Sequence, residues 1–390
     1  MSERFECVVV GAGIEGSAAA YSSAKAGRKT LLLEKFPVPH TRGSSHGASR
    51  ICRQAYPADT PVYQHIMTNA FPQWLQLERD YGQKLFTQTG LLWLGLRAKG
   101  EVRAMHDHMR SLRLDCDLYD SIQLKHRYPQ LNYDSDYETL WDPTAGILAA
   151  DKCLRAFQAA FARVGGALCD GEQVVKVMPG HPALVYTDKR SITADSVVLC
   201  MGAWAAPFIK HNLQLDLKLS PHVIKVAYWP NATHTHSLQH AFPCIITESK
   251  NGDHFYGLPN SEYPALFKFC EHTGYAAEPD NRDGQPTNVI EDQLRKAATH
   301  VRTFMPDIAA KPAIVETCIY TMSESHHPFI DRHPLHSNIV IAAGFSGHGF
   351  KLAPVVGDIV LDLVAGRKPP YDMTLFKIDK TRLLNNSANL

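Results

Sequence analysis

Apolar positions along this chain change period several times, and each change predicts an element. Cys7-Val8-Val9-Val10 is an unbroken apolar run rich in β-branched residues, which reads as a buried strand. From Glu15 to Ala26 the pattern turns helical and alanine-rich, and Gly27 closes it. Thr30-Leu31-Leu32-Leu33 predicts a second buried strand with Glu34 at its end. Tyr63, Ile66, Met67, Phe71, Trp74 and Leu75 fall on helical spacing and predict a long amphipathic helix over residues 61–85. A strand at 91–94 and a helix over 99–113 follow. Asp151 is placed to cap a helix running to Val164, where Gly165-Gly166 stops it. Strands at 167–169 and 174–177 precede an alternation over 184–192 that turns at Asp188-Lys189. Val197 to Met201 is another buried strand, presenting Gly202. Between Leu213 and Lys311 the pattern is strand-like and irregular, with one helix near 291–304, which predicts a second layer inserted into the first unit. Asn338 to Ala343 is the last buried strand, and an apolar helix reaches Val364.

Strand, glycine loop and helix at the start form one unit, Gly11-x-Gly13-x-x-Gly16. Gly11 permits the tight turn, Gly13 lets a pyrophosphate approach the backbone, and Gly16 lets the helix pack against the strand. Glu34 stands where a ribose hydroxyl needs an acceptor. The pattern predicts dinucleotide binding, with FAD and NAD both open. The later stretch Gly344-Phe345-Ser346-Gly347-His348-Gly349-Phe350-Lys351 repeats the strand–glycine–helix logic and again turns backbone N–H groups toward a ligand.

Composition narrows the class only slightly. The 390 residues are 45% hydrophobic and 20% charged with a net charge of +1, which fits two or three domains and gives no sign of a nucleic-acid or membrane partner. His234, His236 and His240 lie in a polar stretch without a metal-ligand framework and read as surface loop; no metal is expected. The nine cysteines form no C-x-x-C pair, which points to a reducing compartment and mostly buried thiols. The chain enters its first strand at once, leaving no room for an export sequence, so the sequon Asn231-Ala232-Thr233 reads as idle. Ala388-Asn389-Leu390 is similar to a degenerate S-K-L peroxisomal address.

The segment 35–57 carries Lys35, Arg42, Arg50 and Arg53 and no acid. His46, Arg50 and Arg53 would share a face in a helix or tight turn, as an anion site or as a solvated basic loop. Lys268, between Phe267 and Phe269, is either turned to solvent or buried at a cost.

Four stretches taken together resemble one family: Gly11 to Gly16, His40-Thr41-Arg42-Gly43-Ser44-Ser45-His46-Gly47, Cys318-Ile319-Tyr320-Thr321 and Gly344 to Lys351. They are similar, in the same order and through nearly the whole chain, to the monomeric sarcosine oxidases, above all the animal peroxisomal sarcosine and pipecolate oxidases. The resemblance implies an α/β fold, α+β overall, with a Rossmann-like FAD-binding domain of the D-amino-acid oxidase type and an inserted antiparallel-sheet substrate domain. It divides the chain into a discontinuous FAD-binding domain, residues 1–87, 147–215 and 320–390, and a substrate domain, 88–146 and 216–319. It implies FAD attached covalently, through a thioether from Cys318 to the 8α-methyl. Cofactor contacts fall to Gly11, Gly13, Gly16, Glu34, Lys35, Arg42, Ser45, Val174, Gly202, Gly344, Gly347, His348 and Gly349. Arg53 and Lys351 would hold a substrate carboxylate, Arg50 and His46 lie beside the flavin, and Lys268 lies over it to assist oxygen. Tyr256 and His272 would line the amine side, with core packing the alternative for Tyr256 and Tyr320.

The activity so implied is oxidation of a secondary amino acid, sarcosine or L-pipecolate, by a monomer that passes electrons to O2 and yields hydrogen peroxide. Peroxide would make the C-terminal address, read by a peroxisomal import receptor, sensible. Three departures stand out from the bacterial pattern: Ser45 beside His46, Ser49 for a usual threonine, and the loop Met322 to His327. The alternatives are a flavin dehydrogenase with another acceptor, an NAD-dependent dehydrogenase, which leaves the Cys318 and Lys351 motifs unexplained, and a non-catalytic flavin-binding protein.

Overall fold

The strand Glu3–Val10 can be apolar on both sides because it lies inside a sheet covered on both faces. In the computed structural model, which describes residues 3–259, 262–284 and 286–384, it pairs in parallel with Thr30–Leu33 and with Ser191–Leu199. Ala167–Cys169 extends this eight-stranded sheet in parallel, and Ile339–Ala343 pairs in parallel with the end of Ser191–Leu199. The hairpin Val174–Met178 and Ala183–Thr187 and the strand Phe329–Arg332 are antiparallel additions. Cys7 and Val9 face a layer of four helices, Ile14–Lys25, Val62–Tyr81, Ala150–Arg163 and Ala353–Val364. Val8 and Val10 face the opposite layer, which holds Ala205–Leu213.

A second, nine-stranded sheet is drawn from residues 91–142 and 220–322. Its spine is Ser220–Pro230, antiparallel to both Leu266–Glu271 and Ile314–Met322. The expected antiparallel order has one exception: Cys244–Glu248 runs parallel to Leu91–Leu96. Period-two alternation along Leu266–Glu271 sends Phe267 and Phe269 into a core with Trp229, Phe255 and the Thr287–Phe304 helix. Lys268 and Cys270 take the other face, against the first unit. A short sheet of Ser49–Cys52, Phe86–Gln88 and Gly146–Ala149 lies between the two. The expected domain border at 319/320 falls inside the strand Ile314–Met322, which carries Cys318 and Tyr320 on one continuous ladder.

Several expected elements shift. The helix expected over 61–85 ends at Tyr81, because Gly82 adopts the left-handed conformation (φ 72°) and caps it. The helix expected over 99–113 spans Glu101–Ser111. Asp151 does not cap its helix; Ala149 is the N-cap residue, and the Asp151 carboxylate pairs with Arg155 one turn on. His46, Arg50 and Arg53 do not share a helical face, since Ser49–Cys52 is extended and residues three apart in a strand diverge. His236 is not surface loop: it is fully buried, its ring 4.5 Å from that of Phe242 and 5.4 Å from that of Phe267, while His234 and His240 are exposed. Among the described residues, no helix is long and apolar enough to cross a membrane. The Ala388-Asn389-Leu390 address lies outside the described residues.

Candidate active site

The parallel strands end at one edge, and a cavity of about 680 Å³ opens there, within the usual size of a cofactor or ligand site. Its floor is the Gly11–Glu15 turn. Gly11 has φ 99°, and a Cβ there would lie 2.4 Å from the Cys200 carbonyl oxygen. A Cβ on Gly16 would lie 1.8 Å from Gly11 O, so helix and turn touch backbone to backbone and Gly16 stands behind the lining. No side chain of its own caps the helix at Gly13; Ser45 reaches in from 31 residues away, and its Oγ accepts the Ile14 N–H at 3.0 Å.

Glu34 closes one end. Its Oε2 accepts the Ala12 N–H at 2.8 Å, its Oε1 accepts the Phe36 N–H at 3.1 Å, and His40 Nε2 lies 3.4 Å away. Burial pushes its carboxyl up, but the bonds from His40, Ala12 and Phe36 outweigh burial and hold it below the ordinary value. Glu34 is thus an ionised acceptor facing the cavity. Beside it a strap from the second unit reaches over: Asp280 accepts from Lys35 Nζ at 3.2 Å and from Trp204 Nε1 at 3.0 Å. Arg42 belongs to that strap rather than to the lining, bonded to Asp283 and to Asp280 O at 3.2 Å each. His40, Trp204 and Asp280 escaped the sequence reading; Asp280 lies 245 residues from Lys35, and no local pattern could join them.

The opposite end is lined by Ser44, His46, Arg50, Tyr320 and the loop Gly344–Phe350, and Val174 and Gly202 line the flank. His46 lies between two carbonyls, Gly43 O 2.6 Å from Nδ1 and Thr317 O 3.0 Å from Nε2, and in its neutral form donates to one of them. Burial nevertheless keeps its imidazole below the usual value, helped by Arg50. Arg50 donates to Ser44 O at 2.9 Å and His46 O at 2.7 Å, which fixes the glycine-rich loop. Cys318 is buried with its Sγ 4.0 Å from Ser44 O, at the margin of this end.

Behind Phe350 and Tyr320 lie the remaining expected residues. Arg53 stacks over Tyr56 at 4.0 Å and Trp93 at 4.7 Å, and Lys351 Nζ lies 5.4 Å from the same Tyr56 ring. Burial pulls the Lys351 amine well below its ordinary value, and Arg53 adds to the effect. Lys351 donates to His348 O at 3.1 Å, Arg53 to Ala55 O, and neither has an ion-pair partner among the described residues. Tyr56 and Trp93 were missed, although Tyr56 lies three residues after Arg53. His272 stands 5.5 Å from Tyr320 and 6.2 Å from Tyr256, ring to ring. Its imidazole is driven down to about 4 by burial, with neighbouring cations assisting. Burial likewise raises the phenols of Tyr256 and Tyr320, so both stay neutral. A Cβ on Gly347 would lie 2.6 Å from Tyr320 and 2.9 Å from His272, so that loop closes tightly on both rings. His348 packs against Tyr63 at 5.1 Å and does not line the cavity. Lys268, 3% exposed, donates to Ser49 Oγ at 3.1 Å.

A family model described as FAD dependent oxidoreductase matches residues 6–363. The peroxisomal sarcosine oxidase of Mus musculus is 40% identical over 98% of this chain and 98% of its own length. The chain belongs to the FAD dependent oxidoreductases, in the sarcosine oxidase family. The monomeric sarcosine oxidase of Bacillus sp. (strain B-0618) is 33% identical, again over 98% of both chains. Among solved structures, NikD, an unusual amino acid oxidase essential for nikkomycin biosynthesis, superposes with a TM-score of 0.80 at 22% identity, covering 96% of this chain and 98% of that one; it speaks for the fold alone. As a member of this flavoprotein family the protein is an FAD-dependent oxidoreductase, and its cavity fits the cofactor. An ionised Glu34, a glycine turn against bare backbone and a helix N-terminus at Gly13 are what a dinucleotide's ribose and diphosphate require.

Proposed function

We propose that the protein is an oxidase of secondary amino acids, sarcosine or L-pipecolate, using FAD bound covalently through Cys318 and O2 as electron acceptor. The observation that carries this reading is the pair of cations, part-buried Arg53 and buried Lys351, over one tyrosine ring and without an ion-pair partner among the described residues. Two such charges side by side repel each other and are costly unless an anion joins them. A substrate carboxylate is that anion, with the planar guanidinium giving a bidentate contact.

When bound, FAD supplies the two-electron acceptor, taking a hydride equivalent from the carbon next to the substrate amine and passing the electrons to O2 to give hydrogen peroxide. The protein sets the protonation state. Around the amine side stand neutral His272, Tyr256 and Tyr320, with Arg53 and Lys351 beyond, an environment that disfavours an ammonium and favours the free amine whose lone pair drives oxidation. Water then hydrolyses the imine product. In this reading Lys268, buried beside Ser49, would supply the positive charge that stabilises negative charge developing on oxygen. In this reading cofactor contacts would fall to the cavity residues described above, and the two sheets would correspond to the flavin and substrate domains. Peroxisomal relatives support a peroxisomal site of action, with import through Ala388-Asn389-Leu390 and a monomeric form.

The test is the flavin absorbance of the purified protein under anaerobic conditions. Sarcosine is added to one sample and L-pipecolate to another, and air is admitted last. Bleaching by one of them, followed by recovery with peroxide on aeration, is the expected result. A flavin that neither amine bleaches would remove the substrate class, and bleaching without recovery in air would remove the oxidase.

A further inference from the structure

The turn that carries Arg53 is held by a buried acid. Ser49–Cys52 pairs with Gly146–Ala149 as far as Cys52, and beyond it the chain bends, with Ala55 fully buried and Gln54 nearly so. The N–H groups of Gln54 and Ala55 have left the ladder, and buried donors need a partner. One oxygen of Asp142 accepts both, from Gln54 at 2.9 Å and from Ala55 at 3.2 Å. The other oxygen accepts the Thr144 N–H at 3.0 Å and the Thr144 hydroxyl at 2.6 Å.

Asp142 is itself fully buried at the end of the strand Tyr137–Asp142, opposite Leu91. The partner strand Leu91–Leu96 also carries Trp93, the second ring over which the Arg53 guanidinium stacks. From the helix Val62–Tyr81, fully buried Gln64 donates to Tyr56 O at 2.7 Å. The segment 53–56 is thus tied at Gln54 and Ala55 by Asp142 and at Tyr56 by Gln64. Arg53 folds back onto this turn: Nη1 donates to Ala55 O, and the guanidinium lies 4.0 Å from the Tyr56 ring. The Asp142 oxygens are taken up by backbone and hydroxyl donors, so its hold on Arg53 runs through the turn. An arginine side chain has many rotamers, and a bidentate contact to a carboxylate needs one plane.

We propose that Asp142 is a positioning residue for the carboxylate site: by holding the Gln54 and Ala55 N–H groups it fixes the Arg53 guanidinium in the posture that receives the substrate. The proposal rests on the reading of Arg53 as a contact to the substrate carboxylate. Preorganisation of this kind acts on affinity, so its loss raises KM far more than it lowers kcat. It also acts only through Arg53, so its effect vanishes once the guanidinium is gone. Asparagine keeps a carbonyl for the two N–H groups and an amide for the Thr144 hydroxyl, and so keeps the turn, whereas alanine leaves both N–H groups buried and unpaired.

The experiment measures, on the holoenzyme, the dissociation constant of methoxyacetate, which is sarcosine with an oxygen in place of the amine, from the perturbation of flavin absorbance. Steady-state kinetics with the preferred amine run beside it. Asp142→Ala and Asp142→Asn are each made alone and with Arg53→Gln. Asp142→Ala should weaken methoxyacetate and raise KM by about 5- to 30-fold, with kcat within about threefold of the parent, and asparagine should recover most of the loss. In the Arg53→Gln background the alanine effect should disappear. An alanine loss that persists undiminished without Arg53, or an asparagine as weak as alanine, would overturn the proposal while leaving the carboxylate reading intact. Arg53→Gln without any effect on methoxyacetate would remove that reading, and the proposal with it. Because Asp142→Ala could fold poorly, half-buried Thr144 gives a second variant. Thr144→Ala should show a smaller loss of the same kind, about two- to fivefold and again absent with Arg53→Gln; no loss excludes the proposal.

Discussion

Lys268 Nζ donates to Ser49 Oγ at 3.1 Å, across the seam between the two sheets. The strand Leu266–Glu271 forces this contact: with Phe267 and Phe269 committed to the opposite core, Lys268 has only the buried seam to enter. Serine, standing where the family pattern has threonine, still supplies the hydroxyl that such an ammonium needs. Lys268→Met is expected to slow reoxidation of the reduced enzyme by O2 by about 10²–10³-fold, with a smaller effect on anaerobic reduction by substrate. Double-mixing stopped-flow separates the two half-reactions. Unchanged reoxidation would move the oxygen role elsewhere or favour a different electron acceptor.

Arg53 and Lys351 share the Tyr56 ring, and under the proposed carboxylate role removing either would leave the substrate half-held. Arg53→Gln should lower kcat/KM by about 2–5 kcal/mol of binding, roughly 30- to several-thousand-fold. Arg53→Lys should recover only part of this, since an ammonium lacks the planar fork. The check is steady-state kinetics beside the dissociation constant of a simple carboxylate inhibitor, which should weaken in parallel.

Cys318 lies on the ladder position opposite Ile224, its thiol near Ser44 at the cavity's margin. Under the proposed covalent attachment, Cys318→Ser is expected to retain the fold and to release its flavin on acid precipitation, whereas the parent protein should keep yellow fluorescence through a denaturing gel. Retained fluorescence in the variant would place the attachment at another residue.

Acid should destabilise this protein in a predictable window. Burial holds His236 and His272 near 4 and His300 near 3, against an ordinary value of 6.5. Between these values the unfolded chain binds protons that the folded chain refuses. Stability is therefore complete above about pH 6.5 and is lost as pH falls toward 4, at up to ~1.4 kcal/mol per pH unit for each histidine. Urea midpoints between pH 7.5 and 5 should drop accordingly. His236→Leu, at a ring packed on Phe242 and Phe267, should flatten the slope. An equal slope in the variant would clear His236.

The strap over the cavity makes a kinetic prediction. Asp280 holds Lys35 and Trp204 and lines the opening, but it is mostly exposed, so its bonds are weak. In the Cys318→Ser background, Asp280→Ala should speed FAD release by roughly two- to fivefold, measured by stopped-flow fluorescence. The parent should show the same acceleration in high salt and the variant should not.

Local chemistry was legible because it is written in consecutive residues. The run Cys7 to Val10, the three glycines after it and Glu34 together specify a strand, a turn, a helix start and an acceptor, and each depends on neighbours within about 30 positions. The glycine loop before Lys351 and the apolar runs of the other parallel strands were readable for the same reason. Failures came where tertiary packing overrode local character. His236 looks like surface because its neighbours are polar, yet Phe242, six residues on, and Phe267, from the strand Leu266–Glu271, pack against its ring and bury it. Asp151 looks like a cap, but its carboxylate finds Arg155 first.

By itself, then, the sequence determined the dinucleotide turn, the period of each strand and the identity of every charged group available to the site. Backbone sterics and side-chain alternation act over a few residues, and a linear reading captures them. Only the tertiary structure decided which charges meet. Arg53 and Lys351 come to one ring from nearly 300 residues apart, Lys268 crosses 219 residues to Ser49, and the buried Glu15 carboxyl is left without a hydrogen-bond partner among the described residues. Long-range placement depends on how two sheets pack against each other, and burial, which sets the protonation of His272, Lys351 and Glu15, exists only after that packing is complete.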